Sequence, residues 1–348
     1  MTIFGVTMIR SAVAGNVALE EANIVQRQII FGLIGFVVIF LASSIDYHLW
    51  ASISRPMYII TVLFLGVLTI AGQALYGSAR WFDTGVILIQ PSELAKIVVI
   101  LVLSDYFARN QEKIGNLLWV GQSLLFTLGI VIWILLQPNL STSLVILVIW
   151  FALLWASGLK LSHLLIFIAG GITLPFAAFP FLQEYQQRRI LNFLFPDPTA
   201  SYGENYNIQQ ALISIGSGGL LGKGYFQGTQ IHLRFLKVRW SDFIFSGTAE
   251  EFGFVGAVVL MLLLIFIVAR CIRAARLARD TYGALICFGV AVVLTFQGFV
   301  NIGVNLKLLP ATGLPLPFIS YGGSSLLSLL LGIGLVESVI LRHKSLEF

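Results

Sequence analysis

The sequence predicts an all-α integral membrane protein, a polytopic helical bundle of about ten transmembrane helices. Of its 348 residues, 58% are hydrophobic and only 11% are charged, whereas a soluble domain carries roughly 25% charged residues. Apolar runs recur along the whole length, which excludes a soluble enzyme held by a single anchor. We therefore expect one membrane domain over residues 1–348, with its large polar segment at residues 183–242.

The individual spans are predicted from the length of each apolar run. A helix needs about 20 apolar residues to cross roughly 30 Å of hydrocarbon. Runs close to this length occupy residues 28–45, 57–75, 92–108, 117–136, 140–156, 161–182, 243–269, 282–305 and 318–341. Residues 1–14 are apolar but too short to cross alone, and they lack the pattern of a signal peptide. We expect them to be the outer end of a first, truncated helix, which brings the total to about ten.

The Lys and Arg residues of the short loops predict the orientation, because cytoplasmic loops carry more of them. If residues 183–242 lie outside, the short outer loops carry only Arg27, Arg80 and Lys307. The cytoplasmic side then carries Arg55, Arg109, Lys113, Lys160, Arg270, Arg273, Arg276, Arg279, Arg342 and Lys344. The polar segment is therefore predicted to be extracytoplasmic. Topology also explains the net charge of +5, so no nucleic-acid partner is expected.

Ionisable residues within a membrane span are costly and are candidates for function. The first pair is Glu93 and Lys96, just after Pro91, which suits the first turn of a helix. Because they are three residues apart, the two side chains share a helix face and can pair. One interpretation is an ion pair that neutralises itself on entering the membrane. The other is the wall of an outward-facing cavity in which Lys96 meets an anionic ligand.

A second candidate is Asp242, at the outer mouth of the span at 243–269. The ordinary role of a Ser or Asp there is to cap the free N–H groups of the helix. A carboxylate at a wet membrane boundary can also act as a general base or a metal ligand. Deeper in the same span, Glu250 and Glu251 point about 100° apart, and we expect structural polar contacts between helices.

The polar segment holds three further candidates, the cations Arg188, Arg189 and Lys223, which could receive a diphosphate at the membrane surface. The glycines of residues 216–224 resemble a phosphate cradle, but the frame GxxxxGK[ST] is absent. Turns in a re-entrant loop are the preferred interpretation of those glycines.

Taken together, these motifs resemble the SEDS family (shape, elongation, division and sporulation proteins). The matching stretches are residues 77–81 (GSARW), 90–96 (QPSELAK), 137–140 (QPNL), 216–224 (GSGGLLGKG), 228–230 (GTQ), 241–245 (SDFIF), 249–254 (AEEFGF) and 309–325 (LPATGLPLPFISYGGSS). Their order and spacing fit nearly the whole chain. The elements at 222–224 and 228–230 look more like the elongation-type RodA branch than the division-type FtsW branch.

This resemblance implies a peptidoglycan glycosyltransferase that polymerises lipid II, the undecaprenyl-diphosphate-linked disaccharide-pentapeptide. It implies that Asp242 is catalytic, that a divalent metal (Mg²⁺ or Mn²⁺) is needed, and that a class B penicillin-binding protein is the partner. Glu93, Lys96, Arg188 and Arg189, together with Lys223, become candidates for substrate binding.

The sequence departs from the family pattern at two places, and two other classes of function are considered beside the glycosyltransferase. Asn139 replaces the aspartate usual in the family, and residues 236–239 replace its usual Leu-Pro-Glu. A transporter that flips the lipid-linked precursor is the alternative function, and a scaffold for another synthase is the third.

Overall fold

The computed structural model describes the chain except residues 17–18, 21, 77–81, 84–87, 114–115, 161–162, 164, 166, 168, 172, 174–176, 178, 196–202 and 344–348. Its helices are α1 (Thr2–Val13), α2 (Ile24–Ser44), α3 (Tyr47–Tyr76), α4 (Pro91–Arg109), α5 (Leu117–Leu136), α6 (Leu140–Ala156), α7 (Glu184–Leu194), α8 (Glu204–Ser217), α9 (Thr229–His232), α10 (Ile244–Leu277), α11 (Thr281–Asn305) and α12 (Gly323–Leu341). Two short strands, β1 (Phe82–Asp83) and β2 (Leu88–Ile89), pair antiparallel, with Phe82 opposite Ile89.

The prediction of a polytopic helical membrane protein is confirmed. Within the described part of the chain, six helices are long and apolar enough to cross a membrane: α2, α3, α5, α10, α11 and α12. Helix α4 has a similar length but carries four charged residues, and most of its side chains are buried. Of the 22 residues in the predicted span at 161–182, ten lie outside the described residues.

Two predicted boundaries are wrong, for different reasons. Helix α3 begins at Tyr47 and continues through Pro56, although the prediction placed the start after this proline. Membrane helices tolerate an internal proline when neighbouring groups satisfy the freed carbonyl. Helix α12 begins at Gly323 rather than near residue 318. The preceding backbone is held in a loop, because the Leu316 N–H donates to Ser320 Oγ at 2.8 Å.

The chain forms two compact units, each assembled from three separated stretches. The first unit comprises residues 1–29, 164–265 and 297–322, and the second comprises residues 30–163, 266–296 and 323–348. In the first unit, buried apolar side chains of α1 and α10 pack with those of the loop before α12. In the second unit, α4 packs against α3, α6 and α12.

Helix α10 is interrupted at Gly253, which lies at φ 68° and ψ −168°, a conformation outside the helical region. The interruption lies roughly 14 Å along the axis from the start of the helix, at 1.5 Å per residue. Glycine adopts this conformation because it has no Cβ, whereas other residues are strained there.

Residues 219–224, which we name the clasp, lie against this interruption. Because hydrocarbon offers no hydrogen bonds, backbone groups freed by a break in a span need partners within the protein. Four backbone hydrogen bonds provide them: Lys223 N–H to Glu250 O at 3.0 Å, Gly224 N–H to Glu251 O at 3.0 Å, Phe254 N–H to Gly219 O at 2.9 Å and Val255 N–H to Leu220 O at 3.1 Å. The prediction that the glycines of this region form turns of a re-entrant loop agrees with this arrangement.

We predict that Gly253→Ala destabilises the protein. A Cβ at this position would lie 2.3 Å from the backbone nitrogen of Gly222 and 2.5 Å from the carbonyl oxygen of Leu220. The backbone strain alone costs on the order of 1–3 kcal/mol. Thermal unfolding of the purified protein in detergent should show a lower midpoint.

The matched control is Gly121→Ala, because a Cβ at this helical glycine meets nothing within 4 Å. Its midpoint should stay unchanged or rise slightly, since alanine favours a helix over glycine. An equal loss of stability in both variants would contradict the role given to the clasp.

Candidate functional site

Asp242 lies in the first unit, in the turn immediately before α10. Its side chain is half-buried, and its carboxylate accepts a hydrogen bond from the Ser241 hydroxyl at 3.1 Å. The loop that follows α11 passes close by, since a Cβ on Gly313 would lie 3.8 Å from Asp242 Oδ2. Gly313 has φ 73°, so a side chain there would be strained as well as close. A Cβ at 3.8 Å would be in ordinary van der Waals contact, so it is the positive φ that favours glycine where this loop approaches the carboxylate.

The backbone of this turn is held by side chains of α11. The Asp242 carbonyl accepts hydrogen bonds from Asn301 Nδ2 at 3.1 Å and from Asn305 Nδ2 at 2.9 Å. The loop before α12 adds a further bond, because Ser320 Oγ donates to the Ser241 carbonyl at 2.7 Å. The position of Asp242 is thus determined through its main chain, and its carboxylate is not used for this purpose.

The interpretation of Asp242 as the cap of its helix is wrong for the geometry observed. The N–H of Ser246, in the first turn of α10, donates to Oδ1 of Asn305 at 3.2 Å. Among the described residues, the carboxylate of Asp242 receives its one recorded hydrogen bond from Ser241. The capping acceptor therefore comes from another helix, which leaves the carboxylate available.

Burial raises the pKa of Asp242 above its usual range, while the Ser241 hydroxyl and the positive charge of Arg189 oppose this rise. Desolvation disfavours the charged form of a carboxyl group, and a nearby cation favours it. Arg189 lies on α7, with its guanidinium 5.7 Å from the centre of the Tyr185 ring. A half-buried carboxylate with a cation in range suits proton transfer.

The other basic candidates of the first unit have different surroundings. Arg188, also on α7, is exposed and pairs with Glu184 at 3.1 Å. Lys223 Nζ lies 2.7 Å from Glu250 Oε1 and donates to the Thr229 hydroxyl at 2.7 Å. This pair fastens the clasp to α10, and contact of either cation with substrate stays a prediction.

Glu250 and Glu251 have the structural role that the sequence predicts. Glu250 is fully buried, and besides Lys223 it accepts hydrogen bonds from the backbone N–H of Gln230 at 3.0 Å and from Ser214 at 3.2 Å. Glu251 accepts a short hydrogen bond from Ser11 of α1. The two carboxylates thus bind different partners, as their angular separation on the helix requires.

Glu93 and Lys96 belong to the second unit, where they form the predicted ion pair. Lys96 Nζ lies 2.7 Å from Glu93 Oε2, and the two side chains are 0% and 4% exposed. Pro91 occupies the first turn of α4 as predicted, and Ser328 of α12 donates to the Glu93 carbonyl at 2.7 Å. The buried pair fits the self-neutralising interpretation, and binding of an anionic ligand by Lys96 stays a prediction.

Three sequence candidates remain: Asn139, the motif at residues 77–81 and a site for a metal ion. Asn139 caps α6, accepting the Thr142 N–H at 3.2 Å. The motif at residues 77–81 lies outside the described residues. No group of three or more His, Cys, Asp or Glu side chains that could hold a metal occurs in the described part of the chain.

Sequence reasoning missed Asn301 and Asn305. Both are buried, at 2% and 0% exposure, inside a mostly apolar span whose other buried amide is Gln297. Their signal was present, because two amides four residues apart share one face of a helix and polar groups within a span need partners. Only ionisable residues were singled out, and the amides were overlooked.

Comparisons with known proteins extend over almost the whole chain. The sequence model of a family described as "Cell cycle protein" (FTSW_RODA_SPOVE) matches residues 1–345. The chain is 34% identical over 352 residues to peptidoglycan glycosyltransferase MrdB of Escherichia coli (strain K12), covering 100% of this chain and 92% of that protein. It is 34% identical over 353 residues to "Probable peptidoglycan glycosyltransferase FtsW" of Geobacter sp. (strain M18), covering 99% and 95%.

Two solved structures are similar in fold. A chain from a peptidoglycan synthase complex that coordinates polymerization and crosslinking has a TM-score of 0.80 at 31% identity, covering 99% of this chain and 98% of that one. The rod shape determining protein RodA of Thermus thermophilus has a TM-score of 0.72 at 30% identity, covering 99% and 94%.

We predict that Arg189→Gln raises the pKa of Asp242 further, because the substitution removes the positive charge that opposes the effect of burial. The Asp242 carboxyl can be titrated by its infrared C=O band, identified as the band that Asp242→Asn removes. The wild-type midpoint should lie above the usual Asp range, and the variant midpoint should lie higher still.

Arg188→Gln is the matched control, since the neighbouring guanidinium pairs with Glu184. It should leave the midpoint unchanged. Equal shifts in both variants would show a general effect of surface charge and would contradict the specific role of Arg189.

Proposed function

The chain belongs to the FtsW, RodA and SpoVE family of cell-cycle proteins, the peptidoglycan glycosyltransferases of cell-wall synthesis, and we propose that it polymerises lipid II with Asp242 as the general base. The product would be a β-1,4-linked glycan strand, formed at the outer face of the bacterial cytoplasmic membrane. Glycosyl transfer follows from the family, whereas the substrate, the residues and the side of the membrane are our proposal.

We place the enzyme in cell elongation rather than division. Relatives named MrdB and FtsW are both 34% identical to this chain, so overall identity does not separate the branches. The resemblance of residues 222–224 and 228–230 to the RodA branch supports the elongation role.

One observation supports the proposal: the carboxylate of Asp242 does not cap α10, while the main chain of Asp242 is held by hydrogen bonds from α11. A general base has to reach the proton that it abstracts, and its position contributes as much as its pKa. Here the carbonyl of Asp242 is held at 2.9 and 3.1 Å by two amides, and its carboxylate accepts one hydrogen bond, from the Ser241 hydroxyl.

The proposed step is a single displacement. Asp242 takes the proton of the acceptor sugar's 4-hydroxyl, and the oxygen attacks the anomeric carbon of the donor. A new C–O bond forms as the bond to the diphosphate breaks, and the diphosphate leaves with the electron pair. The α-linked donor becomes a β-linked product, so the configuration inverts, as inverting glycosidases do with a base opposite the leaving group.

Neutralising the diphosphate is the second requirement. Arg188 and Arg189 on α7 are the cations that we assign to this role, because an arginine guanidinium matches phosphate geometry. Lys223 stays a candidate, although it would have to exchange its bond to Glu250. Electrostatic stabilisation of developing charge is the largest contribution in many enzymes.

The family resemblance also implies a divalent cation, Mg²⁺ or Mn²⁺. Mg²⁺ is commonly bound by one or two carboxylates together with substrate phosphates. Asp242 offers a single carboxylate, and the described residues form no cluster of three ligands. They fit a cation that arrives on the diphosphate. Such an ion would neutralise charge on the leaving group when bound.

A cavity of about 330 Å³ in the second unit suits the lipid carrier. Apolar side chains of α3, α4 and α12 line it, among them Phe64, Leu94 and Leu331. An apolar cavity between helices is a suitable site for part of a prenyl chain. The binding of lipid II and of other membrane lipids belongs to the proposal.

We predict that Asp242→Asn abolishes glycan polymerisation by the folded protein. General-base assistance contributes about 10²–10⁴-fold, so the rate of strand synthesis from purified lipid II should fall by at least that order. The amide has a similar shape, so the thermal unfolding midpoint in detergent should change little.

Near-normal synthesis by a folded Asp242→Asn variant would contradict the general-base assignment. Lipid II translocation by the wild-type protein in vesicles, without glycan strands, would instead support the alternative of a precursor transporter.

We propose a class B penicillin-binding protein as the partner, because a similar chain occurs in a peptidoglycan synthase complex. The contact is assigned to the polar segment and to α10 and α11. Leu220 and Leu221 in the clasp are 72% and 81% exposed, and Leu220→Ser with Leu221→Ser should reduce co-purification of the partner.

The control for this partner test is the pair Leu117→Ser and Leu118→Ser at the start of α5, whose side chains are also exposed. Undiminished co-purification by the clasp variant would exclude this part of the polar segment from the interface.

A further inference from the structure

Two buried amides of α11 meet the turn that carries Asp242. We propose that Asn305, supported by Asn301, is a positioning residue that caps α10 in place of Asp242 and so keeps the Asp242 carboxylate free to accept a proton from the sugar hydroxyl. This inference rests on the proposed function, because it concerns the same carboxylate.

The proposal depends first on which side chain accepts hydrogen bonds from the free N–H groups in the first turn of α10. The initial N–H groups of a helix have no partner within the helix, and a short acidic side chain near the helix start can accept from them. Asp242 stands two residues before Ile244, where α10 begins. Without another acceptor its carboxylate would bend back onto these N–H groups, and it would then be lost to chemistry.

Asn305 supplies that acceptor from a position 59 residues away in sequence. Its Oδ1 accepts from the backbone N–H of Ser246 at 3.2 Å and from the hydroxyl of the same residue at 2.5 Å. Both interactions lie in the first turn of α10, so the amide oxygen takes the place that an N-cap side chain normally occupies.

The nitrogen of the same amide holds the main chain of Asp242. Asn305 Nδ2 donates to the Asp242 carbonyl at 2.9 Å and to the Asn301 carbonyl at 2.8 Å. An Asn amide has two donors on nitrogen and an acceptor on oxygen. The opposite orientation would place the NH₂ group against the Ser246 N–H and the oxygen against the Asp242 carbonyl, so the hydrogen bonds require the orientation observed.

Asn301 extends the arrangement to the opposite wall of the site. Its Nδ2 donates to the Asp242 carbonyl at 3.1 Å and to the Leu314 carbonyl at 2.8 Å. Leu314 follows Gly313, the glycine that faces the carboxylate. One amide therefore joins the turn that carries the base to the loop that approaches its carboxylate.

Burial indicates that these amides serve more than packing. A buried polar group is costly unless it is hydrogen-bonded, and a leucine at either position would suit an apolar span better. Asn305 is 0% exposed and Asn301 is 2% exposed. Their hydrogen bonds go to the turn of Asp242, to the first turn of α10 and to the loop after α11.

The test is Asn305→Ala in a lipid II polymerisation assay across a range of pH. The freed N–H groups of α10 should draw in the Asp242 carboxylate, which turns it away from the substrate. A misplaced catalytic group costs on the order of 10²-fold, so kcat should fall 10- to 100-fold while KM changes less than about threefold. Asn301→Ala should reduce kcat less, because Asn305 still caps the helix.

The pH profile separates this role from a general loss of structure. N–H groups that bond to the charged form of a carboxyl lower its pKa. The acid limb of the profile should therefore move to lower pH in Asn305→Ala. Arg189 and the Ser241 hydroxyl, the other groups that act on the carboxyl, are unchanged in this variant.

The matched control is Thr248→Val, which removes a fully buried hydroxyl on α10 that donates to the Ile244 carbonyl of its own helix at 2.9 Å. It should keep both kcat and the acid limb. Unchanged kcat and an unmoved limb in Asn305→Ala would overturn the inference, as would an equal loss in the control.

If Asn305→Ala fails to fold, as judged by thermal unfolding in detergent, the kcat of Asn301→Ala becomes the deciding measurement. An unaltered kcat in that variant would then overturn the inference. Full activity of Asp242→Asn is a separate outcome, because it would remove the general base itself whatever the amide variants do.

Discussion

Hydrocarbon offers no hydrogen bonds, so each backbone N–H and C=O within a span must find its partner inside the protein. Helix α10 meets this constraint twice, at its buried first turn and at its interruption at Gly253. At the interruption, the clasp bonds to the backbone on both sides. At the start, the amide of Asn305 accepts the N–H that a local side chain would otherwise take. The clasp and Asn305 therefore supply partners for backbone groups at both of these places.

The charged residues obey the same constraint. A buried charge is tolerated when it is paired and hydrogen-bonded, and Glu250 with Lys223 and Glu93 with Lys96 each form such a pair at 2.7 Å. Asp242 differs, because its carboxylate has only the Ser241 hydroxyl as a hydrogen-bond partner among the described residues. The contrast between paired carboxylates and this one supports our proposal that Asp242 is the reactive group.

Family membership indicates the class of reaction, whereas the local geometry concerns the surroundings of Asp242. The similarity to proteins of both the RodA and FtsW branches extends over nearly the whole chain, and it carries the class of reaction. It does not say why an aspartate beside a helix terminus should stay reactive. In our proposal the amides of α11, which carry no charge, provide that explanation.

The sequence by itself determined the membrane class, most of the spans and the helix face that Glu93 and Lys96 share. Hydropathy and the three-residue spacing on a helix are local properties, so one stretch of chain suffices to read them. It could not determine the interruption at Gly253 or the true capping residue of α10. Those depend on the clasp and on Asn305, which meet α10 from distant parts of the chain. Only the tertiary structure decides which acceptor reaches an unpaired N–H first, and here it spared Asp242.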